Sequence, residues 1–290
     1  MELISDYMED TALRYKLNAL TRKTFCFDFE NWVTGGFFEG DYIPYSFMEN
    51  GKIVSNVSVN KMNFLQNGTL RNYIQIGTVM TDPDYRNRGL AKMLMEYVLS
   101  RYEERCDGIY LFGDLNALGF YRKSGFQEGI QYQYALKETF SGKAQGLFKP
   151  VDREDPLMRS RYMDAVRHSA VNASLEQVNK FGLQMFYTSD LQNTYYAEDI
   201  DCFAVLETEG DTLIVQSVIC REQLPMQELL VRLPLEYRHL KLGFSPRGED
   251  AGLFRAEPFD GGEDYRLFYR GRTLESIAME KLYFPALSHA

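Results

Sequence analysis

The chain has 290 residues, 45% apolar and 25% charged, ordinary for a soluble globular protein and enough for two domains with their own cores. Its net charge of −9 argues against a nucleic-acid backbone as partner, while permitting a cationic substrate. No stretch nears the ~18 apolar residues of a membrane-spanning helix, and Met1–Lys16 has no apolar leader region, so the chain reads as cytoplasmic, with no membrane partner. Cys26, Cys106, Cys202 and Cys220 form no CxxC pair and read as buried reduced thiols, and the three scattered histidines give no metal cluster. With 20 Tyr and 20 Phe against one Trp, an aromatic-rich core is the plainer reading and an aromatic-lined cleft the alternative.

Leu13, Leu17 and Leu20 recur at helical spacing and predict a helix over roughly Tyr7–Lys23. An aromatic segment, Phe27 to Phe38, follows and breaks at Gly35-Gly36. Tyr42–Met48 and Ile53–Val59 read as a hairpin around Asn50-Gly51, and Asn67-Gly68 marks a second turn before a strand over Tyr73–Met80. From Gly89 to Arg105 the period changes, and Leu90, Met93, Leu94, Tyr97 and Val98 share one helix face. A strand over Gly108–Phe112, a short helix near Ala117–Lys123 and a strand over Gly129–Leu136 complete a mixed α/β domain ending near residue 140.

Ser141–Pro150 reads as a linker. Asp155-Pro156 predicts a helix start, and Ser174 to Gln177 reads as a capping box opening another helix. Cys202–Leu206 and Leu213–Cys220 read as strands around Glu209-Gly210-Asp211, followed by a helix near Met226–Leu233 and a strand near Leu240–Phe244. Val215–Cys220 echoes Ile76–Thr81, and each string precedes a helix and then a strand. That order favours a second copy of one fold over two unrelated modules.

Chemistry concentrates in Val79–Ala91, between a strand and an amphipathic helix. A helix N-terminus leaves N–H groups unpaired and carries the positive end of the dipole. Gly89 lets a ligand approach that backbone, Ala91 keeps the first turn slim, and Arg86 and Arg88 add charged donors, which together make a phosphate cradle. For Arg86-x-x-Gly89-x-Ala91 alone a tight turn with solvated arginines is the plainer account; the flanking Thr81–Tyr85 and the long helix favour the cradle.

This segment resembles the Arg/Gln-x-x-Gly-x-Gly/Ala pyrophosphate loop of the GNAT superfamily of N-acetyltransferases. Asn116–Phe126 resembles a second signature of that family at the expected distance, so that the likeness covers residues 74–130. The resemblance implies a GNAT fold, α/β with a mixed, mostly antiparallel central sheet flanked by helices and duplicated in tandem. Residues 1–140 would be the catalytic domain and 141–290 a degenerate GNAT-like domain. It also implies acetyl-CoA as co-substrate and no metal. In such enzymes the strand before the loop splays from its neighbour, so the backbone of Val79, Met80 and Thr81 would bind the acetyl carbonyl and pantetheine arm. Amides of Arg88, Gly89, Leu90, Ala91 and Lys92 would hold the pyrophosphate beside Arg86 and Asn87, Asn116 would contact the pantetheine, and Tyr121 stands where many members keep the general acid.

Attack of an amine on a thioester needs N–H donors for the developing oxyanion, and a phenol with a pKa of ~10 suits protonation of the departing thiolate. Tyr121 reads either as a core aromatic or as that acid; Phe120 can supply the packing while Tyr121 faces the sulfur. Some family members carry a basic Glu where Gln75 stands here, which leaves a water chain, Glu39 or Asp41; for either acid a solvated loop charge is the plainer reading. In the C-terminal half, Arg221–Pro225 holds no glycine, so that half should not bind coenzyme A and is expected to wall the acceptor cleft.

The expected function is therefore transfer of acetyl from acetyl-CoA to a primary amine of a small molecule or peptide by direct attack. The alternative is a non-catalytic acyl-CoA-binding regulator, against which Tyr121 and the intact loop count. A tRNA-dependent aminoacyl-transfer branch shares the duplicated fold, but usually lacks the loop and fits the acidic charge poorly. The charge and the acidic, aromatic stretch Phe37–Tyr45 point to a cationic acceptor; a homodimer stays open.

Overall fold

Asn50 and Gly51 have φ of 51° and 75°, and Asn67 and Gly68 have 45° and 83°. These left-handed pairs are what two-residue hairpin turns require, so the sequence folds here into a long antiparallel meander. The computed structural model describes residues 1–138, 145–234 and 237–289. The elements in chain order begin with β1 (Glu2–Ser5), α1 (Thr11–Phe25), α2 (Glu30–Thr34), β2 (Tyr42–Glu49), β3 (Lys52–Gln66) and β4 (Thr69–Thr81). There follow α3 (Leu90–Tyr102), β5 (Gly108–Asp114), α4 (Leu118–Lys123), β6 (Gln127–Gly129) and β7 (Gln131–Leu136). The second half holds β8 (Lys149–Pro150), α5 (Pro156–Arg167), β9 (Leu175–Gln177), α6 (Phe181–Thr188), β10 (Thr194–Ala197), β11 (Cys202–Glu209) and β12 (Thr212–Ile219). It ends with α7 (Met226–Leu230), β13 (His239–Leu242), β14 (Phe254–Phe259), β15 (Tyr265–Arg270) and α8 (Ser276–Met279).

Two mixed sheets flanked by helices result, as a duplicated α/β fold requires. One runs β1-β2-β3-β4-β5-β15-β6, with β9 also on β3; the other runs β14-β7-β13-β12-β11-β10-β8. The echo between Ile76–Thr81 and Val215–Cys220 has a structural counterpart: β4 pairs parallel with β5, and β12 pairs parallel with β13. In the first sheet, Leu94, Met95 and Val98 of α3 pack on Val57, Val59, Ile74 and Ile76. On the opposite face, Leu17 and Leu20 of α1 join Phe29, Trp32 and Tyr42.

Several local expectations change. The strand read over Gly129–Leu136 divides at the exposed Ile130; β6 stays in the first sheet and β7 joins the second, between β13 and β14. In return β15, a strand not expected from the sequence, lies between β5 and β6. Ser174 to Gln177 opens no helix. Leu175–Gln177 is β9, paired with the end of β3, and the Ser174 hydroxyl donates to the Pro246 carbonyl. The start at Asp155-Pro156 is as read, with the Asp155 side chain accepting from Leu157 N. Of the four thiols only Cys202 and Cys220 are buried, while Cys26 is exposed and Cys106 half-buried. Ser141–Ala144 of the expected linker, and the boundary between residues 140 and 141, lie outside the described residues. Among the described residues no helix is long and apolar enough to cross a membrane.

Candidate active site

β4 pairs with β5 only over Tyr73–Gln75 against Gly108–Tyr110, yet stays on β3 as far as Thr81. Beyond Gln75 the two parallel strands part, and the free edge of β4 faces the gap. The parting begins at an irregularity: the β3–β4 register shifts between Asn56 and Ser58, and Thr78 takes a φ of 40°. A β-branched residue there is strained, so its surroundings must hold it. A ring of hydroxyls, those of Tyr42 and Ser58 buried and that of Thr78 half-buried, does so. The Ser58 Oγ donates to the Tyr42 hydroxyl (2.6 Å), the Thr78 Oγ1 to the Ser58 Oγ (2.7 Å), and Tyr42 closes the ring on Thr78 at 2.7 Å. The Asn56 Nδ2 donates to Ser58 Oγ (2.8 Å) and to the Thr78 carbonyl (2.9 Å). Behind it, Ser46 Oγ donates to Asn56 Oδ1 (2.7 Å) and meets the Tyr7 hydroxyl at 2.5 Å. Burial pushes both phenols well above the ordinary range, so they stay neutral donors.

The gap opens into a cavity of about 310 Å³. β4 contributes Thr78 and Val79, the end of β5 Asp114, and α4 Tyr121. The opposite wall is aromatic: Phe25, Phe27, Phe29 and Trp32 from the end of α1 through α2, with Phe186 and Tyr187 from α6. The C-terminal half thus walls this cavity. Trp32 Nε1 donates to the Gly182 carbonyl (2.7 Å), which bolts α2 to α6. The signal for an aromatic cleft was the Phe and Tyr count, but the same residues also build the core, and nothing local to α6 marks it as a wall. Of the acidic stretch Phe37–Tyr45, only Tyr42 reaches this cavity; Phe37 packs on Phe181, Phe38 on Trp32, and Glu39 pairs with Arg167 at 2.6 Å.

Tyr121 is 6% exposed, with ring centroids 5.4 Å from Phe268 of β15 and 5.3 Å from Phe120. Phe120 is the half-buried member of the pair, so Tyr121 carries packing as well as facing the cavity. Its hydroxyl makes no hydrogen bond among the described residues; burial, then the Asp114 charge, pushes the phenol up to about 12. Asp114 Oδ1 accepts from Asn116 N (2.7 Å) and Asn116 Nδ2 (2.9 Å), which places Asn116 beside the cavity but outside its lining.

Met80 turns its side chain into the core beneath α1, and Thr81 Oγ1 meets Ser55 Oγ at 2.9 Å, so these two offer only backbone to the gap. Asn87 and Gly89 both have left-handed φ, 62° and 75°, and Gly89 is the N-cap of α3. The first helical bond runs from Met93 N to the Gly89 carbonyl, so Leu90, Ala91 and Lys92 present N–H groups without an intrahelical partner. A Cβ at Gly89 would meet nothing within 4 Å, so the space over these donors is open and fits a phosphate group. Arg86 Nε donates to the Thr81 carbonyl (3.3 Å), and Arg88 donates to the Asp84 carbonyl (2.9 Å) while covering the Tyr85 ring. Lys92 is exposed, 3.6 Å from Glu96. This loop lies outside the cavity lining. In the second half α7 has five residues, begins after Pro225, and has no glycine at its start.

Asp41 is half-buried and accepts from Asn179 Nδ2 at 2.9 Å; burial raises its carboxyl, with Glu39 adding to the rise and Asn179 and Lys61 opposing it. It borders a small cavity of about 20 Å³ that shares Trp32, Asn60 and Leu183 with the large one. Among the described residues the buried Nδ2 of Asn60 has no hydrogen-bond partner, nor do the amide of Gln75 and the hydroxyl of Tyr110, its neighbours across β4 and β5.

Residues 40–129 match the family model described as an acetyltransferase (GNAT) domain. No curated protein matches the sequence. Among solved structures, the chain is similar to a GCN5-related N-acetyltransferase from Kribbella flavida, with a TM-score of 0.56 and 19% identity over 95% of this chain and 72% of that one. It is similar to Eis1 from Mycobacterium abscessus (TM-score 0.56, 12% identity, 92% of this chain and 73% of that one). A GCN5-related N-acetyltransferase from Anabaena variabilis gives 0.53 at 14% identity, over 93% of this chain and 72% of that one. At these identities the likeness is one of fold.

Proposed function

We propose, from the match of residues 40–129 to the GNAT acetyltransferase domain, that the chain transfers acetyl from acetyl-CoA to a primary amine. The observation that carries this reading is the parting of β4 from β5, which sets a free strand edge and Tyr121 on one cavity beside an open helix N-terminus. The N–H groups of Leu90, Ala91 and Lys92 hold the pyrophosphate, and the free edge of Val79–Thr81 takes the pantetheine arm and the acetyl oxygen. Fixing Thr78 through Tyr42 and Ser58 sets that edge before substrate arrives.

In the transfer, the neutral amine forms a C–N bond to the acetyl carbon while the C–S bond breaks. Tyr121 supports the departing sulfur, and the proton released by nitrogen leaves through water. A side cavity of about 20 Å³ has room for one water molecule. Bridged between the unpartnered Asn60 Nδ2 and Asp41, that water leads the proton to a carboxylate whose affinity for it burial has raised. We divide the chain into a catalytic unit at 1–140 and a unit at 141–290 that gives a wall and a strand but binds no coenzyme A, a reading supported by the glycine-free, Pro-led start of α7. The test is thiol release from acetyl-CoA over an amine panel, with acetylated product identified by mass. Acyl-CoA binding without turnover of any amine would overturn the reading in favour of a regulator.

A further inference from the structure

Resting on that reading, we propose that the acceptor is a monocationic amine on an aromatic or bulky alkyl body, rather than a polycation, an amino acid or an anionic amine. Among the described residues the cavity has no Lys, Arg or His in its lining, and Asp114 is its one carboxylate. Asp114 Oδ1 is taken by Asn116, while Oδ2 makes no hydrogen bond among the described residues and is open to one ammonium group, which docks there and gives its extra proton to solvent before the neutral nitrogen attacks. The remaining acceptor wall is rings from two parts of the chain. Phe27 sits edge-on to Phe29 at 5.4 Å and to Phe186 at 5.7 Å, and Trp32 lies edge-on to Phe186 at 5.7 Å.

These rings leave apolar surface open at the mouth, where Phe25 is 44% and Tyr187 42% exposed. Uncovered aromatic surface rimmed by a single acid fits one apolar body carrying one positive charge. A polyamine or aminoglycoside would bring further ammonium groups against hydrocarbon with nothing to pair them. A carboxylate on the acceptor would face Asp114 with no cation in reach. Tyr121, which burial and the Asp114 charge push up to about 12, stays neutral and does not change this count.

The test compares 2-phenylethylamine, spermidine, tobramycin and alanine as acceptors at saturating acetyl-CoA, reading thiol release by the full chain. We expect 2-phenylethylamine to lead in kcat/KM by roughly tenfold or more. Phe186→Ala should raise its KM by about tenfold and leave the KM for acetyl-CoA unchanged, and Asp114→Asn, whose remaining oxygen can still accept from Asn116, should raise the amine KM by about tenfold. Spermidine, tobramycin or alanine as the best acceptor overturns the inference while sparing the acetyltransferase reading, as does an unchanged amine KM in both variants. Failure of every amine, with acetyl-CoA binding intact, overturns both.

Discussion

Tyr121 lies 6% exposed between Phe268 and Phe120, with its phenol pushed up to about 12. A phenol held above its usual pKa of ~10 is a weaker acid, so in the proposed transfer it would serve the departing sulfur chiefly as a hydrogen-bond donor. Tyr121→Phe should lower kcat about 10²–10⁴-fold at an unchanged KM for acetyl-CoA. The wild-type rate should show no alkaline fall below about pH 11, because the phenol keeps its proton to about 12. Near-normal kcat in a folded variant removes Tyr121 from the chemistry. For Asp41 the proton must be off before it can accept another, so kcat, which unlike kcat/KM is free of the ionisation of the unbound amine, falls as pH drops through its raised pKa. Asp41→Asn should flatten that acid limb of kcat and lower kcat at pH 8 about 10²-fold. The linkage sign supplies a control. A folded pKa above the unfolded one gives stability that is present below the unfolded pKa and lost as pH rises through the folded one, so the variant should melt no lower than wild type at pH 8. A retained acid limb would exclude Asp41 as the acceptor. Tyr121 was legible because it sits in a motif; Phe186 was not, because a wall aromatic and a core aromatic look alike in sequence.

α3 and the two hairpins were legible at the level of elements, since helical periodicity and Asn-Gly turns are local signals. But Met93 and Tyr97, read onto the apolar face of α3, are exposed, and Met95 and Leu99 are buried in their place. β9 was misread for the complementary reason: Ser174-x-x-Gln177 has the residues of a capping box, but pairing with the far end of β3 and burial of Leu175 outweigh it. The cradle at the start of α3 combines both kinds of information. Its glycine is visible in sequence, whereas the open space above it is a tertiary fact. At φ 75° any L side chain costs roughly 1–2 kcal/mol, while the Cβ itself meets nothing. Gly89→Ala should therefore weaken acetyl-CoA binding modestly, and Gly89→Glu should abolish it by setting a carboxylate where phosphate binds. Calorimetry should find one site per chain in the wild type. Unchanged affinity in the Glu variant, or two equivalent sites, would dismiss the cradle.

At the scale of the molecule the two halves exchange strands: the first sheet ends β5-β15-β6 and the second β13-β7-β14. No local pattern could reveal this, because the residues of β7 and β15 mark at most a strand and not which strands flank it. The consequence for the site is direct. Arg266–Arg270 of β15 line up with Ile109–Gly113 of β5, and the fully buried Phe268 supports the Tyr121 ring. A chain ending at residue 140 would leave that edge of β5 unpaired and Tyr121 without its floor; removing a buried Phe side chain alone typically costs about 3–5 kcal/mol. Residues 1–140 expressed alone should thus show no cooperative melting transition and no acetyl-CoA binding. Co-expression with residues 141–290 should restore both, since each half supplies the strand the other lacks. If the isolated half melts cooperatively and binds acetyl-CoA as the full chain does, the exchanged strand is dispensable. The C-terminal half would then serve the acceptor wall alone.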